Sequence, residues 1–255
     1  MKNVNQNFKD ETIWIVGASS GIGKALAELL SNEGANLILS ARRTIELENI
    51  NQDLGGKHKI LKLDAGNDAE IEKAFTTLKA ENIKINRAIF LAALYEPQKI
   101  KDLDTEFCEK LFKVNVLGCF SFTKHMLTQF KQQNSDVKQI ALCGSIAAYT
   151  GLPNGQPYSA SKAAVQNFAE SLRVESSKDI DIKLISPGFI RTRITDKNNF
   201  PMPFIQEPED AAKAIAKGLK SKKFEIHFPK RFTLLLKLLR ALPYWLALPI
   251  TKNLK

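Results

Sequence analysis

The chain has little from which to build a metal centre or a disulfide framework. It holds three cysteines and three histidines in 255 residues. Cys108, Cys119 and Cys143 form no C-x-x-C pair, and an odd, scattered set of this kind reads as buried, reduced thiols in a cytosolic protein. His58, His125 and His227 stand far apart without ligand spacing, which argues against zinc. The segment Met1 to Asp10 is polar and lacks the apolar core of a signal peptide, so export is not expected. No internal repeat, low-complexity linker or mid-chain boundary interrupts the sequence. An aromatic base-stacking signature and a recognition helix are also missing, so the net charge of +10 does not point to nucleic acid. Acidic residues are absent from Phe228 to Lys255, a stretch with six Lys or Arg. Without it the body is only mildly basic, as a solvated charged surface would be.

What is present is a regular alternation of short apolar runs and helical patterns. Strands are expected at Thr12 to Gly17, Asn36 to Ser40, around Ile60 to Leu63, at Arg87 to Leu91, Gln139 to Cys143 and Ile182 to Ile185, with a seventh at Phe224 to Phe228. Helices follow, from Gly21 to Glu33, Asp102 to Phe130 and Tyr158 to Ser177. Strand, helix, strand in succession implies right-handed crossovers and a parallel sheet covered on both faces. The expected fold is α/β, one doubly wound domain over residues 1–228 with a C-terminal extension at 229–255.

Chemistry in such a sheet collects at the carboxyl ends of the strands. The first strand ends in Gly17-Ala18-Ser19-Ser20-Gly21-Ile22-Gly23. Glycines there let the chain turn tightly and let a pyrophosphate approach the following helix N-terminus, whose free N–H groups and dipole favour an anion. After the second strand comes Ser40-Ala41-Arg42-Arg43, with no carboxylate for the ribose hydroxyls of NAD. Arg42, assisted by Arg43, suits a 2′-phosphate instead, which favours NADP(H) over NAD(H). Asp64, at the end of the third strand, either hydrogen-bonds an adenine amino group or caps a helix. Tyr158 and Lys162 lie four apart and share a helix face. A fixed ammonium beside a phenol favours the phenolate and lowers its pKa from about 10, giving a general acid or base.

The order of these motifs resembles the short-chain dehydrogenase/reductase family from Thr12 to about Phe228. The resemblance rests on the G-x-x-x-G-x-G turn at Gly17, Gly21 and Gly23, on Asp64, and on Asn115 within Val114-Asn115-Val116-Leu117-Gly118. It continues through Ser145, then Tyr158 with Lys162, then Pro187-Gly188. It implies a Rossmann-fold oxidoreductase in which Ser145 orients a carbonyl or hydroxyl and Tyr158 exchanges its proton. Lys162 would tune Tyr158 and hold the nicotinamide ribose. Asn115 would interrupt the long helix and help position a water that relays protons to Lys162. Ile190 and Thr192, in Pro187-Gly188-Phe189-Ile190-Arg191-Thr192, would lie at the cofactor, with Thr192 on the nicotinamide carboxamide. The family's Asn-Asn-Ala-Gly is replaced by Phe90-Leu91-Ala92-Ala93. Ala92 and Ala93 still leave room for adenosine, and apolar packing is expected in place of the two asparagines. Pairing through the helices at Asp102 to Phe130 and Tyr158 to Ser177 would give a homodimer or homotetramer.

The segment Phe189 to Glu207 carries Phe189, Phe200 and Phe204 and reads as an apolar lid over a hydrophobic substrate. Phe232 to Ile250 is also apolar, but two cations and two prolines interrupt it, so it is a poor membrane span. Two readings stay open. The segment either lies at the inner membrane face of a cytoplasmic protein, or packs on the domain, the substrate cleft or a partner subunit. An NAD-linked dehydrogenase and a non-catalytic dinucleotide sensor or scaffold are the rival functions.

Overall fold

A computed structural model describes residues 8–252; the expectation for Met1 to Asp10 therefore lies outside them except at residues 8–10. The elements follow as β1 (Thr12–Val16), α1 (Gly21–Asn32), β2 (Asn36–Ser40), α2 (Thr44–Asp53), β3 (Lys59–Ile60), α3 (Asp68–Ala80), β4 (Arg87–Phe90), α4 (Thr105–Phe112), α5 (Gly118–Gln132), β5 (Gln139–Cys143), α6 (Tyr158–Glu175), β6 (Asp181–Pro187), α7 (Pro208–Leu219), β7 (Glu225–Phe228), α8 (Lys230–Ala241) and α9 (Tyr244–Lys252). The seven strands form one sheet in the order β3-β2-β1-β4-β5-β6-β7, and every adjacent pair is parallel. The single doubly wound α/β domain read from the sequence is the observed architecture.

Side-chain alternation divides the core. On β1, Ile13 and Ile15 face α1 and α7 with Leu26, Leu30, Ile215 and Leu219. Trp14 and Val16 point the other way, among Phe75, Phe122, Met126 and Phe130 of α3 and α5. Neighbours along a strand serve opposite layers because the side-chain period is two. Each fully buried Leu or Phe contributes about 2 kcal/mol. Trp14 keeps its one polar atom satisfied by donating to Ser40 Oγ at 2.9 Å.

Outside the third strand and the long helix, the expected bounds hold to within two residues. β3 forms ladder pairs only at Lys59–Ile60, although the Leu61 and Leu63 amides still donate to the Leu39 and Ala41 carbonyls. It is an edge strand with a partner on one side. The long helix expected from Asp102 to Phe130 is broken: α4 gives way to a π-helical turn at Lys113–Leu117 before α5 begins.

The reversal of strand order lies between β1 and β4, and the carboxyl ends of those strands carry the glycine turn and Ala92. At the opposite end of the sheet, buried Arg87 pairs with Glu11, donates to Gln139 Oε1 at 2.7 Å and to the Leu219 carbonyl at 3.1 Å, and lies over the Phe8 ring. Chemistry and structural charge therefore occupy opposite rims.

Candidate active site

The glycine turn is shaped by what crowds it. Gly17 has φ +98°, and a Cβ there would stand 2.7 Å from the Ala92 amide nitrogen. Gly21 has φ +53°, and its Cβ would meet Thr192 Cγ2 at 2.8 Å. Gly23 lies so close to the Gly17 carbonyl that any side chain would collide with it. The turn is thus wedged between the segments that follow β4 and β6. Ser20 occupies the N-cap of α1 without a side-chain capping bond, leaving the first-turn amides for another acceptor. Ile22 packs against the core beneath.

The end of β2 lies beside this turn, because the Gly17 and Ala18 amides both donate to the Ser40 carbonyl. Arg42 and Arg43 are exposed there. Arg43 donates to Ser19 Oγ at 3.2 Å and pairs with Glu46 at 3.2 Å, so Glu46 offsets the poor placement of a cation at a helix start. Among the described residues Arg42 has no hydrogen bond or ion pair.

Asp64 Oδ1 accepts from the Gly66 amide at 2.9 Å, and the Asp64 amide donates to Glu70. The cap of α3 is Asn67 rather than Asp64. Phe90 and Leu91 pack into the two core layers at the positions where the family has asparagines, and Ala92 packs against the same layer as Phe90. Ala93 follows, half-buried.

Asn115 sits in the π turn, 1 % exposed. Its Oδ1 accepts from the Leu94 amide at 2.7 Å, and its Nδ2 donates to the Leu94 carbonyl and to Ser161 Oγ. One side chain thereby joins the post-β4 segment to the helix of Tyr158 and Lys162. A π bulge widens the helix locally, which turns Asn115 inward to make these bonds.

Ser145 caps a short 3₁₀ turn and accepts from the Ala147 amide at 3.1 Å. Its hydroxyl also acts on Tyr158, the first residue of α6, favouring the ionised phenol. Lys162 is 2 % exposed and donates to the Cys143 carbonyl at 2.7 Å, with Nζ 5.5 Å from the Tyr158 ring centroid. Ser145, Tyr158 and Lys162 are brought together at the end of β5.

The electrostatics correct one expectation. Burial pushes the Tyr158 hydroxyl well above the ordinary tyrosine range, Cys143 adds to this, and the Ser145 hydroxyl opposes it. The lysine lies over the ring face with its ammonium committed to a carbonyl, so desolvation outweighs it. The shift runs opposite to the lowering expected from the Tyr158–Lys162 spacing.

Beyond β6, Pro187 ends the strand and the Gly188 amide donates to the Phe228 carbonyl at 2.7 Å. Ile190 is buried and bridges Gln206. The Thr192 amide donates to Thr195 Oγ1. Phe189 approaches Phe200 at 6.1 Å and stacks on Phe232 at 5.9 Å, while Phe204 reaches Phe232 at 5.7 Å. Phe189 and Phe204 therefore meet the first turn of α8, and Phe200 joins them through Phe189.

Residues that sequence reasoning missed complete this wall. Tyr95 meets Tyr158 and donates to Asn198 Oδ1, and Lys197 pairs with Glu96, tying the post-β4 loop to the lid. Tyr149 donates to Glu225, which also pairs with Lys237 of α8. Tyr95 gave no local signal, since its partners Tyr158 and Asn198 lie far along the chain. Phe232 and Lys237 gave none.

A family model described as short chain dehydrogenase matches residues 11–202. An uncharacterized oxidoreductase of Myxococcus xanthus is 30% identical over 237 residues, covering 91% of this chain and 92% of that protein. A short chain dehydrogenase of Burkholderia cenocepacia, solved in complex with NADP, superposes with TM-score 0.80 at 23% identity, covering 92% of this chain and 95% of that one. A short chain dehydrogenase/reductase of Burkholderia phymatum, solved in complex with NAD, gives TM-score 0.81 at 20% identity, with 91% and 93% covered.

Proposed function

The chain belongs to the short-chain dehydrogenase/reductase family and is an oxidoreductase, and from that membership we propose that it moves a hydride between NADP(H) and the carbonyl or secondary alcohol of a hydrophobic, lipid-derived substrate. The observation that carries this reading is the convergence of Ser145, Tyr158 and Lys162 beside a glycine turn whose side-chain space is filled by Ala92 and Thr192. On this reading residues 1–228 form the catalytic domain and 229–255 an extension.

The turn fits a dinucleotide. Its uncapped helix amides suit a pyrophosphate, with Ser19, Ser20, Ile22 and the three glycines around it. Arg42, without a hydrogen bond or ion pair among the described residues, suits a 2′-phosphate, and Arg43 steadies the turn through Ser19. Asp64, Ala92 and Ala93 border the adenosine; Pro187, Gly188, Ile190 and Thr192 border the nicotinamide. When bound, the dinucleotide supplies or accepts the hydride, so the protein's work is orientation and proton management. Ser145 orients the substrate oxygen. Tyr158 gives its proton to that oxygen during reduction. Lys162 holds the ribose, and Asn115 supports the water chain that returns protons to it. Phe189, Phe200 and Phe204 exclude water and receive the apolar part of the substrate.

Exposed Leu117 and the stacked pair Phe120 and Phe168 on α5 and α6 support a homodimer or homotetramer through those helices. The reading places the enzyme in the cytoplasm. Dissociation constants for NADPH and NADH test it. NADPH should bind about tenfold or more tightly, and Arg42→Ala should remove most of that difference by deleting a charge-assisted contact. Equal affinity or a preference for NADH would assign an NAD-linked dehydrogenase. Tyr158→Phe should abolish turnover and spare cofactor affinity. NADPH binding without turnover on a broad panel of ketones and alcohols would assign a cofactor sensor.

A further inference from the structure

Helix α8 is apolar on two opposite faces. Its inner face buries Thr233, Leu236 and Leu239, against Ile146, Tyr149 and Ala247. The Lys237–Glu225 pair, with Tyr149 on the same carboxylate, fixes that orientation. Leu234, Leu235 and Leu238 nevertheless remain exposed, Leu238 at 63 %. Positions i, i+1 and i+4 form one stripe on a helix, so these leucines face solvent together. Helix α9 rests on the same satellite core through Ala247 and turns outward Tyr244 at 82 % and Trp245 at 73 %, with Leu248 and Ile250. Both helices lie over one cluster, so their outward sides form one surface.

The charge on that surface has one sign. Lys230, Arg231, Arg240 and Lys252 are exposed around it, and residues 229–252 contain no Asp or Glu. Two copies meeting here would face cations with cations. A spanning arrangement does not fit either: among the described residues no helix is long and apolar enough to cross a membrane. Exposed leucines, a Tyr-Trp pair and peripheral cations instead match the interface of a bilayer carrying negative headgroups.

We propose that the outward face of α8 and α9 docks the protein on an anionic lipid surface, with the leucine stripe and Trp245 in the interface and the four cations against the headgroups. Phe232 extends from the same helix into the lid cluster, so docking sets the substrate cleft beside the membrane. If the proposed carbonyl chemistry holds, and only then, its substrate is an amphiphile dissolved in that membrane.

Flotation of the full chain with vesicles of phosphatidylcholine alone, or mixed with phosphatidylglycerol, tests the docking without reference to activity. The protein should float with the mixed vesicles at low salt and bind the neutral ones about tenfold more weakly. Salt should release part of it. Of the two tryptophans, Trp14 is buried and Trp245 exposed, so vesicle binding should shift the emission of Trp245 to the blue. L238E/W245E should lose flotation while keeping its melting temperature and NADPH affinity; K230Q/R231Q/R240Q should lose the preference for anionic vesicles. Failure of the wild type to float with anionic vesicles at low salt overturns the proposal, as does unchanged flotation of L238E/W245E. An oligomer dissolved by that double variant would assign the face to a second copy and overturn it equally. Flotation without turnover of any ketone sinks the reductase reading alone. Turnover of a water-soluble ketone without flotation sinks the docking alone.

Discussion

Tyr95 meets the ring of Tyr158 edge to face, with centroids 4.9 Å apart, and its hydroxyl donates to Asn198 across the cleft. The aromatic that steadies Tyr158 therefore also fastens the lid. An edge-to-face pair adds about 0.5–1.5 kcal/mol beyond burial.

Tyr95→Phe keeps the ring contact and removes the lid bond. Loss of one such hydrogen bond, about 0.5–1.5 kcal/mol, should raise KM for a hydrophobic ketone by about two- to tenfold and leave kcat nearly unchanged. Steady-state kinetics checks this. A large fall in kcat with constant KM would place Tyr95 in the proton transfer instead.

Burial first, then Tyr158 and Glu96, raise Tyr95 to about 12. A group whose folded pKa lies above its unfolded value contributes stability that is complete below the unfolded value, about 10, and lost as pH rises through the folded one. The stability difference between wild type and Tyr95→Phe should therefore be constant below about pH 10 and drift against the wild type from there to about 12. Urea midpoints across that range read it out. A gap that moves the other way would reverse the sign of the shift.

Gly17→Ala places a methyl 2.7 Å from the Ala92 nitrogen at φ +98°. Backbone strain alone costs about 1–2 kcal/mol, and relief must come by moving the turn. Lower thermal stability and a weakened NADPH affinity are expected together, by calorimetry and fluorescence titration. Unchanged affinity would remove the turn from the cofactor site.

Arg87→Met leaves Glu11 buried without its partner. Removing one member of a buried pair costs about 3–5 kcal/mol, to be seen as a lower urea midpoint. The residue lies on the rim opposite Ser145, Tyr158 and Lys162, so kcat of the folded protein should hold within about twofold.

The sheet was legible because its strands are short apolar runs set off by turn residues, and local sequence carries that pattern. The same holds for Gly17, Gly21 and Gly23, whose backbone geometry only glycine tolerates, and for Tyr158 and Lys162, which a helix must bring together. The interruption of the helix at Asn115 was legible through the resemblance alone, since its bonds run to Leu94 and Ser161, residues far away in the chain.

Lys162 shows where local spacing stops. Four positions place it against Tyr158, but the Cys143 carbonyl, supplied by the end of β5, takes its ammonium. Burial of the phenol then fixes the direction of its pKa, and burial belongs to the assembled fold. Tyr95, Asn198, Phe232 and the Tyr149–Glu225–Lys237 chain were invisible for the same reason: each contact joins loops or helices that meet only after the sheet is built.

Sequence by itself determined the parallel sheet, the glycine turn and the pairing of Tyr158 with Lys162, because helix period, strand period and glycine conformations act over a few residues; Ser145 was placed by the resemblance. Tertiary structure alone decided that the Tyr158 pKa is raised rather than lowered, that Tyr95 latches the lid, and that α8 turns Phe232 inward and Leu238 outward. Desolvation and packing depend on what surrounds a side chain, and those surroundings come from elsewhere in the chain.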